Sequence, residues 1–128
     1  MFYLELKSMF YMKHNNIIAN IGQKLAINHL KLQNYTILKQ NYRIKHCEID
    51  IIAQKYGLFY LIEVKTVSSK IIKPEEQLGW CKRSSMLKAR VLYAFDQNIN
   101  QDLIFIEFIG VILDFSKKMA NIKHFSRF

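Results

Sequence analysis

Two apolar segments separated by a short polar turn constrain the fold of this 128-residue chain more than any other feature. The first runs from Glu48 to Ala53 and the second from Leu58 to Thr66, and both are rich in residues that favour β-strands. Each is apolar almost throughout, as expected of central strands that are covered on both faces. The residues from Gln54 to Gly57 are typical of a hairpin connection, in which Gly57 is free to adopt a positive φ. The pattern therefore predicts a hairpin at the centre of a sheet.

Helical patterns precede and follow this hairpin. Asn15 and Asn16 are predicted to cap a helix from about Ile17 to Leu32, because its apolar residues recur at spacings of four and seven. A second helix is predicted to begin at Pro74, which suits a first helical turn, and to end before Asn98. The buried face of this second helix is predicted to contain Leu78, Cys81, Ser84, Ser85, Leu87, Val91 and Phe95.

Further strands are predicted at 35–42, at 103–113 with a bend at Gly110, and at the sheet edge at 122–125. Together these elements predict an α/β fold in which two main helices flank a mixed sheet. Residues 15–128 are expected to form one domain. Residues 1–14 are expected to be an N-terminal extension that is non-native or poorly ordered, because Met9 and Met12 are alternative starts.

Charge and cysteine content bear on the partner and the compartment. Lys and Arg total 19 against 10 Asp and Glu, and the net charge of +9 favours DNA, RNA or an anionic membrane surface as partner. The alternative is a basic surface that reflects an AT-rich genome. Cys47 and Cys81 show no zinc-ligand spacing, which indicates reduced thiols in the cytoplasm. No apolar run approaches the roughly 18 residues of a membrane span, and no signal peptide is evident.

Four charged residues on the two central strands are the candidates for chemistry. Because side chains alternate along a strand, Glu48 and Asp50 are predicted to lie on one face of their strand, and Glu63 and Lys65 on one face of the next strand. If the two strands pair as a hairpin, both pairs lie on the same face of the sheet. Carboxylates on apolar strands are costly unless they are compensated. Lys65 would offset part of this cost and a magnesium ion more. The metal would polarise a phosphodiester and activate water, while Lys65 orients or deprotonates that water or neutralises phosphate charge. The alternative is a plain Glu63–Lys65 salt bridge.

A short turn separates Asp50 from Glu63-Val64-Lys65, which is the pattern of the PD-(D/E)XK nuclease superfamily. From about Ile21 to Phe125 the chain resembles the YraN family, small bacterial proteins regarded as endonuclease-like. The matching segments are IGQKLA (21–26), NYR (41–43), EIDIIA (48–53), IEVKT (62–66), Lys82-Arg83 with Ala89 and Tyr93, FIEFIGV (105–111) and IKHF (122–125).

The resemblance implies a restriction-endonuclease-like fold and nucleic-acid binding. It places the superfamily's metal ligands at Asp50, Glu63 and the backbone carbonyl of Val64, for Mg²⁺ or Mn²⁺, and its catalytic lysine at Lys65. Gln23 departs from the family, which usually has Glu there, so an uncharged amide replaces a candidate ligand of the metal or water.

Glu48 is hypothesised to supply part of the charge that Gln23 lacks, so Glu48→Gln would weaken magnesium binding. Nucleic-acid contacts, with DNA the favoured partner, are expected from Lys82, Arg83, Lys70, Lys73 and Arg43; the alternative is a solvated basic surface. Three functions stay open: a magnesium-dependent endonuclease, a DNA-binding module without cleavage that assists recombination, repair or DNA uptake, and an adaptor whose acids and Lys65 form a structural network. The oligomeric state stays open.

Overall fold

The structure is a computed structural model that describes residues 14–68, 73–77 and 80–126. The predicted extension over residues 1–14 therefore lies almost wholly outside the described residues, as do Lys70 and Leu78. Among the described helices, none is long and apolar enough to cross a membrane.

The described strands form one five-stranded sheet in the order β1-β2-β3-β4-β5. The strands are β1 (Thr36–Ile44), β2 (Cys47–Lys55), β3 (Leu58–Val67), β4 (Ile104–Asp114) and β5 (Met119–Phe125). Neighbours are antiparallel except β3 and β4, which are parallel. A parallel pair needs a crossover connection, and here the crossover contains helix α2 (Trp80–Gln97). The predicted mixed sheet with two main helices is confirmed, and the architecture is consistent with a restriction-endonuclease-like fold.

The two helices cover opposite faces of this sheet. Helix α1 (His14–Leu32) buries Ile21, Ala26 and Leu30 against Ile51, Ile62 and Val111. On the other face, α2 buries Met86, Ala89 and Tyr93 against Ile52, Leu61 and Ile104. Strands β2 and β3 are thus covered on both sides, which is why their sequences are apolar nearly throughout.

Three of the seven residues predicted for the buried face of the second helix are exposed; Ser84 and Ser85 are half-buried, and the burial of Cys81 lies outside the described residues. Leu87, Val91 and Phe95 are 55%, 54% and 89% exposed, whereas Met86, Ala89, Tyr93 and Ala94 face the sheet. Two apolar stripes run along this helix, and the one with the small alanines packs on the sheet because alanine lets a helix approach closely.

Three boundary predictions are also corrected. Pro74 begins a separate 3₁₀ turn (Pro74–Gln77), and α2 itself begins at Trp80. Helix α1 begins at His14, so Asn15 and Asn16 lie within its first turn rather than before it. Strand β4 runs without interruption through Gly110, where a Cβ atom would lie 2.8 Å from the Cβ of Pro74. Gly110 thus makes room for the 3₁₀ turn.

The central hairpin opens at the end away from its turn. Gly57 in this turn has the predicted positive φ, 76°. Pairing of β2 with β3 extends from Lys55–Leu58 beside the turn to Ile51–Ile62, and no partner pair follows beyond that point. Asp50 and Glu63, the next residue on each strand, therefore face each other where the ladder stops.

Candidate functional site

Asp50 is held in place by backbone and side-chain contacts at the open end of the hairpin. Its Oδ2 accepts a hydrogen bond of 2.8 Å from the backbone N–H of Val64 on β3. The amide of Gln23 on α1 donates to the backbone carbonyl of Asp50 over 3.3 Å. Gln23 comes this close because Gly22 lets α1 lie against Thr66, whose Oγ1 would be 1.7 Å from a Cβ at that position.

Strand β2 rotates at Asp50, which separates Glu48 from the site. Ile49 packs into the core under α2, while Ile51, two residues later, packs into the core under α1. On β1, Asn41 lies between the residues that pair with Ile51 and Ile49, and it has a φ of 50°. A regular strand would place Ile49 and Ile51 on one face. The predicted shared face of Glu48 and Asp50 fails for this reason.

Glu63 lies on the α2 side of the sheet, where Lys82 meets it. The distance from Lys82 Nζ to Glu63 Oε2 is 3.1 Å, and the glutamate side chain is only 13% exposed. Nevertheless Oε2 is buried and has no hydrogen-bond partner of acceptable geometry. The ammonium is close enough to pair with Oε2, and no other described group donates a hydrogen bond to this oxygen.

The electrostatics of the two acids are coupled. Burial, followed by the charge of Asp50, raises the pKa of Glu63 to about 8. Burial also raises the pKa of Asp50, against the opposing effects of the Val64 N–H, a hydrogen bond with Glu63 and the charge of Lys82. Two nearby carboxylates resist ionising together. Burial and mutual repulsion therefore oppose full ionisation of both carboxyl groups, whereas the charge of Lys82 favours it.

The remaining predicted site residues lie around this pair rather than in it. Glu48 is exposed and forms an ion pair of 3.4 Å with Arg43, although its charge still raises the pKa of Asp50. Lys65 is exposed and has no ion pair with any described residue, so Lys82 rather than Lys65 offsets the acids. Lys73 and Arg83 are also exposed.

The Lys82–Glu63 ion pair was not predicted. The resemblance pointed Lys82 towards the site as a phosphate contact, but no sequence spacing relates a residue of α2 to one of β3. The sequence shows only a lysine near the start of α2, the helix that connects the parallel strands β3 and β4.

The oxygen atoms at this position fit a hard divalent cation. Magnesium binds one or two carboxylates and keeps several waters, and the buried Glu63 Oε2 has only the Lys82 ammonium beside it among the described groups. Because the N–H and C=O of one strand residue point to the same side, the carbonyl of Val64 points like its N–H towards Asp50. No cluster of three or more His, Cys, Asp or Glu residues in the described part of the chain is placed to hold a metal. The fit therefore rests on two carboxylates and one carbonyl.

A small polar cavity lies near the start of β2, and neither Asp50 nor Glu63 lines it. It measures about 210 Å³ and lies at the β1–β2 turn, where it is lined by Arg43, Lys45, His46, Cys47 and Glu48. A larger surface cavity of about 660 Å³ follows the outer edge of β1 and contains neither acid of the pair.

Comparison with known proteins places the chain in a family. The model of the uncharacterised protein family UPF0102 matches residues 22–111. The chain belongs to UPF0102. The UPF0102 stretch includes Gln23, Asp50, Glu63 and Lys82, so the whole candidate site lies within it.

Bacterial UPF0102 proteins are similar over most of the chain. A UPF0102 protein of Clostridium botulinum strain Hall is 35% identical over 102 residues, which cover 78% of this chain and 83% of that protein. One from Alkaliphilus oremlandii is 32% identical over 111 residues, covering 86% and 95%. One from Flavobacterium johnsoniae is 43% identical over 58 residues, so the match spans about half of each chain, 45% and 47%.

Proposed function

We propose that this UPF0102 protein is a cytoplasmic, YraN-type endonuclease of the PD-(D/E)XK superfamily that hydrolyses DNA phosphodiesters with Mg²⁺ or Mn²⁺. The observation that supports it most is the pair of largely buried carboxyl groups, Asp50 and Glu63, where the central hairpin opens. Buried acids with raised pKa values are found often at functional sites.

Asp50, Glu63 and the Val64 carbonyl would hold the cation. When bound, the cation would supply polarisation of a phosphoryl oxygen and a more acidic water. The protein's own contribution is to fix these ligands: the Val64 N–H orients the Asp50 carboxylate, and Gln23 fixes its backbone. Lys65 follows Glu63 on the same strand and is exposed, which suits it to meet a phosphate or a water from the solvent side.

Several basic residues lie at the end of the sheet that holds the acidic pair. We call this the site end; it contains the β1–β2 turn, the last residues of β3 and the β4–β5 turn. The basic residues there are Arg43, Lys45, Lys65, Lys73, Lys82, Arg83, Lys117 and Lys118. Cations at the same end as the buried acids would attract a polyanion while leaving the acids to a metal, and lysine and arginine contacts to phosphates supply sequence-independent affinity.

Cleavage of labelled DNA tests the proposal directly. Duplex, single-stranded and branched substrates are incubated with Mg²⁺ or Mn²⁺ and with wild type, Asp50→Ala, Lys65→Ala or Glu76→Ala. Glu76 is an exposed acid on the 3₁₀ turn and serves as the matched control. We expect metal-dependent cutting by wild type and Glu76→Ala and none by the other two. Cutting that survives Asp50→Ala would exclude this site.

A DNA-binding module without cleavage is the second candidate. It is favoured by Gln23, an amide where a third carboxylate would strengthen the site, and by Lys82, which already neutralises Glu63. Wild type that binds all three substrates in a salt-dependent way but never cuts them would support this module, with a role in recombination, repair or DNA uptake. Gln23→Glu is then the variant in which cutting should appear. Absence of both binding and cutting would leave the acids as part of a structural network in an adaptor.

A further inference from the structure

The acidic pair already has a cationic partner, and it comes from a helix rather than from the central strands. Lys82 Nζ lies 3.1 Å from Glu63 Oε2, and its charge acts on both Glu63 and Asp50. In the described part of the chain no other cation contacts either carboxyl group. Lys82 therefore stands beside the same oxygen that a divalent cation would use.

The two cations cannot share this oxygen without repulsion. A divalent ion at Glu63 Oε2 would add two positive charges within a few ångströms of the ammonium, in a place where water screens poorly. The Lys82 side chain lies near the start of α2 and is 37% exposed. Because this side chain is flexible, its ammonium can turn towards solvent. Glu63, at 13% exposure on β3, has no comparable freedom.

We propose that Lys82 is a built-in counter-ion of the acidic pair, which a divalent cation must displace from Glu63 before it can bind. In the metal-free protein Lys82 compensates the buried acids. In the metal-bound protein its ammonium turns to solvent, on the side where a phosphate would approach. This inference rests on the metal-binding part of the proposed function.

Lys82→Met tests the inference because it removes the charge and keeps most of the stem. Lys88→Met is the matched control: Lys88 lies on the same helix, is exposed and contacts no other described charged group. Mn²⁺ affinity is measured by calorimetry on the full chain, at one pH and without nucleic acid. We expect Lys82→Met to bind Mn²⁺ about ten-fold more tightly than wild type, from loss of one close repulsion. Lys88→Met and Lys82→Arg should both match wild type.

A second measurement separates displacement from damage to the fold. In EDTA, Lys82→Met should unfold at a lower urea concentration than wild type, and Lys82→Arg should restore the midpoint, because the free protein needs a cation at Glu63. Unchanged Mn²⁺ affinity in Lys82→Met, with binding still abolished by Asp50→Ala, would overturn the inference and leave the proposed site intact. Mn²⁺ binding that is detected for Lys82→Met and not for wild type supports the inference. Absence of binding in every variant overturns both the inference and the metal site.

Discussion

Among the described acids, Glu63 has the pKa that is raised by the largest amount. Its carboxyl group is largely buried, faces Asp50 and has a pKa raised from 4.5 to about 8. By contrast, the buried Glu107 receives hydrogen bonds at Oε1 from Tyr35 OH at 3.0 Å and pairs with His124 Nε2 at 2.8 Å. Glu107 is thus stabilised by two close partners, whereas Glu63 Oε2 has only the partly exposed Lys82 ammonium beside it among the described groups. This contrast separates a structural acid from a candidate functional one.

The raised pKa of Glu63 predicts how stability depends on pH. Between 4.5 and about 8 the folded chain keeps a proton that the unfolded chain has lost, so the free energy of unfolding falls as pH rises through this window. The fall attributable to Glu63 is up to about 5 kcal/mol. Urea denaturation in EDTA at about pH 5 and about pH 8 measures it, with Glu63→Gln as the comparison. An equal pH dependence in both proteins would contradict the assigned pKa.

Asp50 and Glu63 were predictable as a pair because the hairpin register follows from two apolar runs and a short turn. It was not predictable that Glu48 lies apart from this pair, because the strand rotates at Asp50 opposite Asn41, which has a positive φ. Asparagine tolerates a positive φ better than most residues, but an asparagine in a strand does not by itself predict that the neighbouring strand rotates.

Close contact between α1 and β3 fixes the position of Gln23, and Gly22 permits it. A methyl group at Gly22 would meet Thr66 Oγ1 at 1.7 Å and Thr66 Cβ at 2.7 Å, so the helix would have to move. We predict that Gly22→Ala destabilises the protein by about 1–3 kcal/mol, although alanine is the better helix former. Urea denaturation measures the effect. Gly22→Ala combined with Thr66→Gly should recover part of the loss; no recovery would mean that another contact causes it.

Helix α2 presents two apolar stripes, and sequence periodicity alone selected the wrong one. Leu87, Val91 and Phe95 are larger than the alanines of the other stripe and recur every four residues, so they resemble a buried face. The helix instead buries the stripe that contains Ala89 and Ala94, together with Met86 and Tyr93. Strand positions were predicted well because a run covered on both faces leaves little choice of face, whereas an amphipathic helix can rotate.

Substitutions on α2 test which stripe is buried. We predict that Met86→Ala costs about 2–5 kcal/mol in the free energy of unfolding, because Met86 is 1% exposed. Phe95→Ser on the exposed stripe should change it by no more than about 0.5 kcal/mol. Both are measured by urea denaturation under one condition. A large loss with Phe95→Ser would show that this stripe is covered in solution.

At the scale of the whole molecule, charge is distributed unevenly along the sheet. The site end carries basic residues on the turn before β2, around the end of β3 and at the start of α2. At the opposite end, Lys55 Nζ lies over the ring of Tyr35 at 4.9 Å. A polyanion would therefore be attracted to the end that holds Asp50 and Glu63, so binding and chemistry would coincide.

The salt dependence of DNA binding tests this distribution of charge. Each phosphate contact that is lost should reduce the slope of log affinity against log salt by about 0.9 on duplex DNA. We predict that Arg43→Gln with Lys45→Gln, which empties the basic side of the cavity at the β1–β2 turn, reduces the slope by about 2. Lys31→Gln removes an exposed charge at the far end of α1 and should leave the slope unchanged. Because Arg43 and Glu48 form only an exposed ion pair, Arg43 can turn to a phosphate at little cost. A reduction of about 1 with Lys31→Gln, the value expected for one lost contact, would mean that DNA contacts the whole basic surface and does not prefer the end that holds the acidic pair.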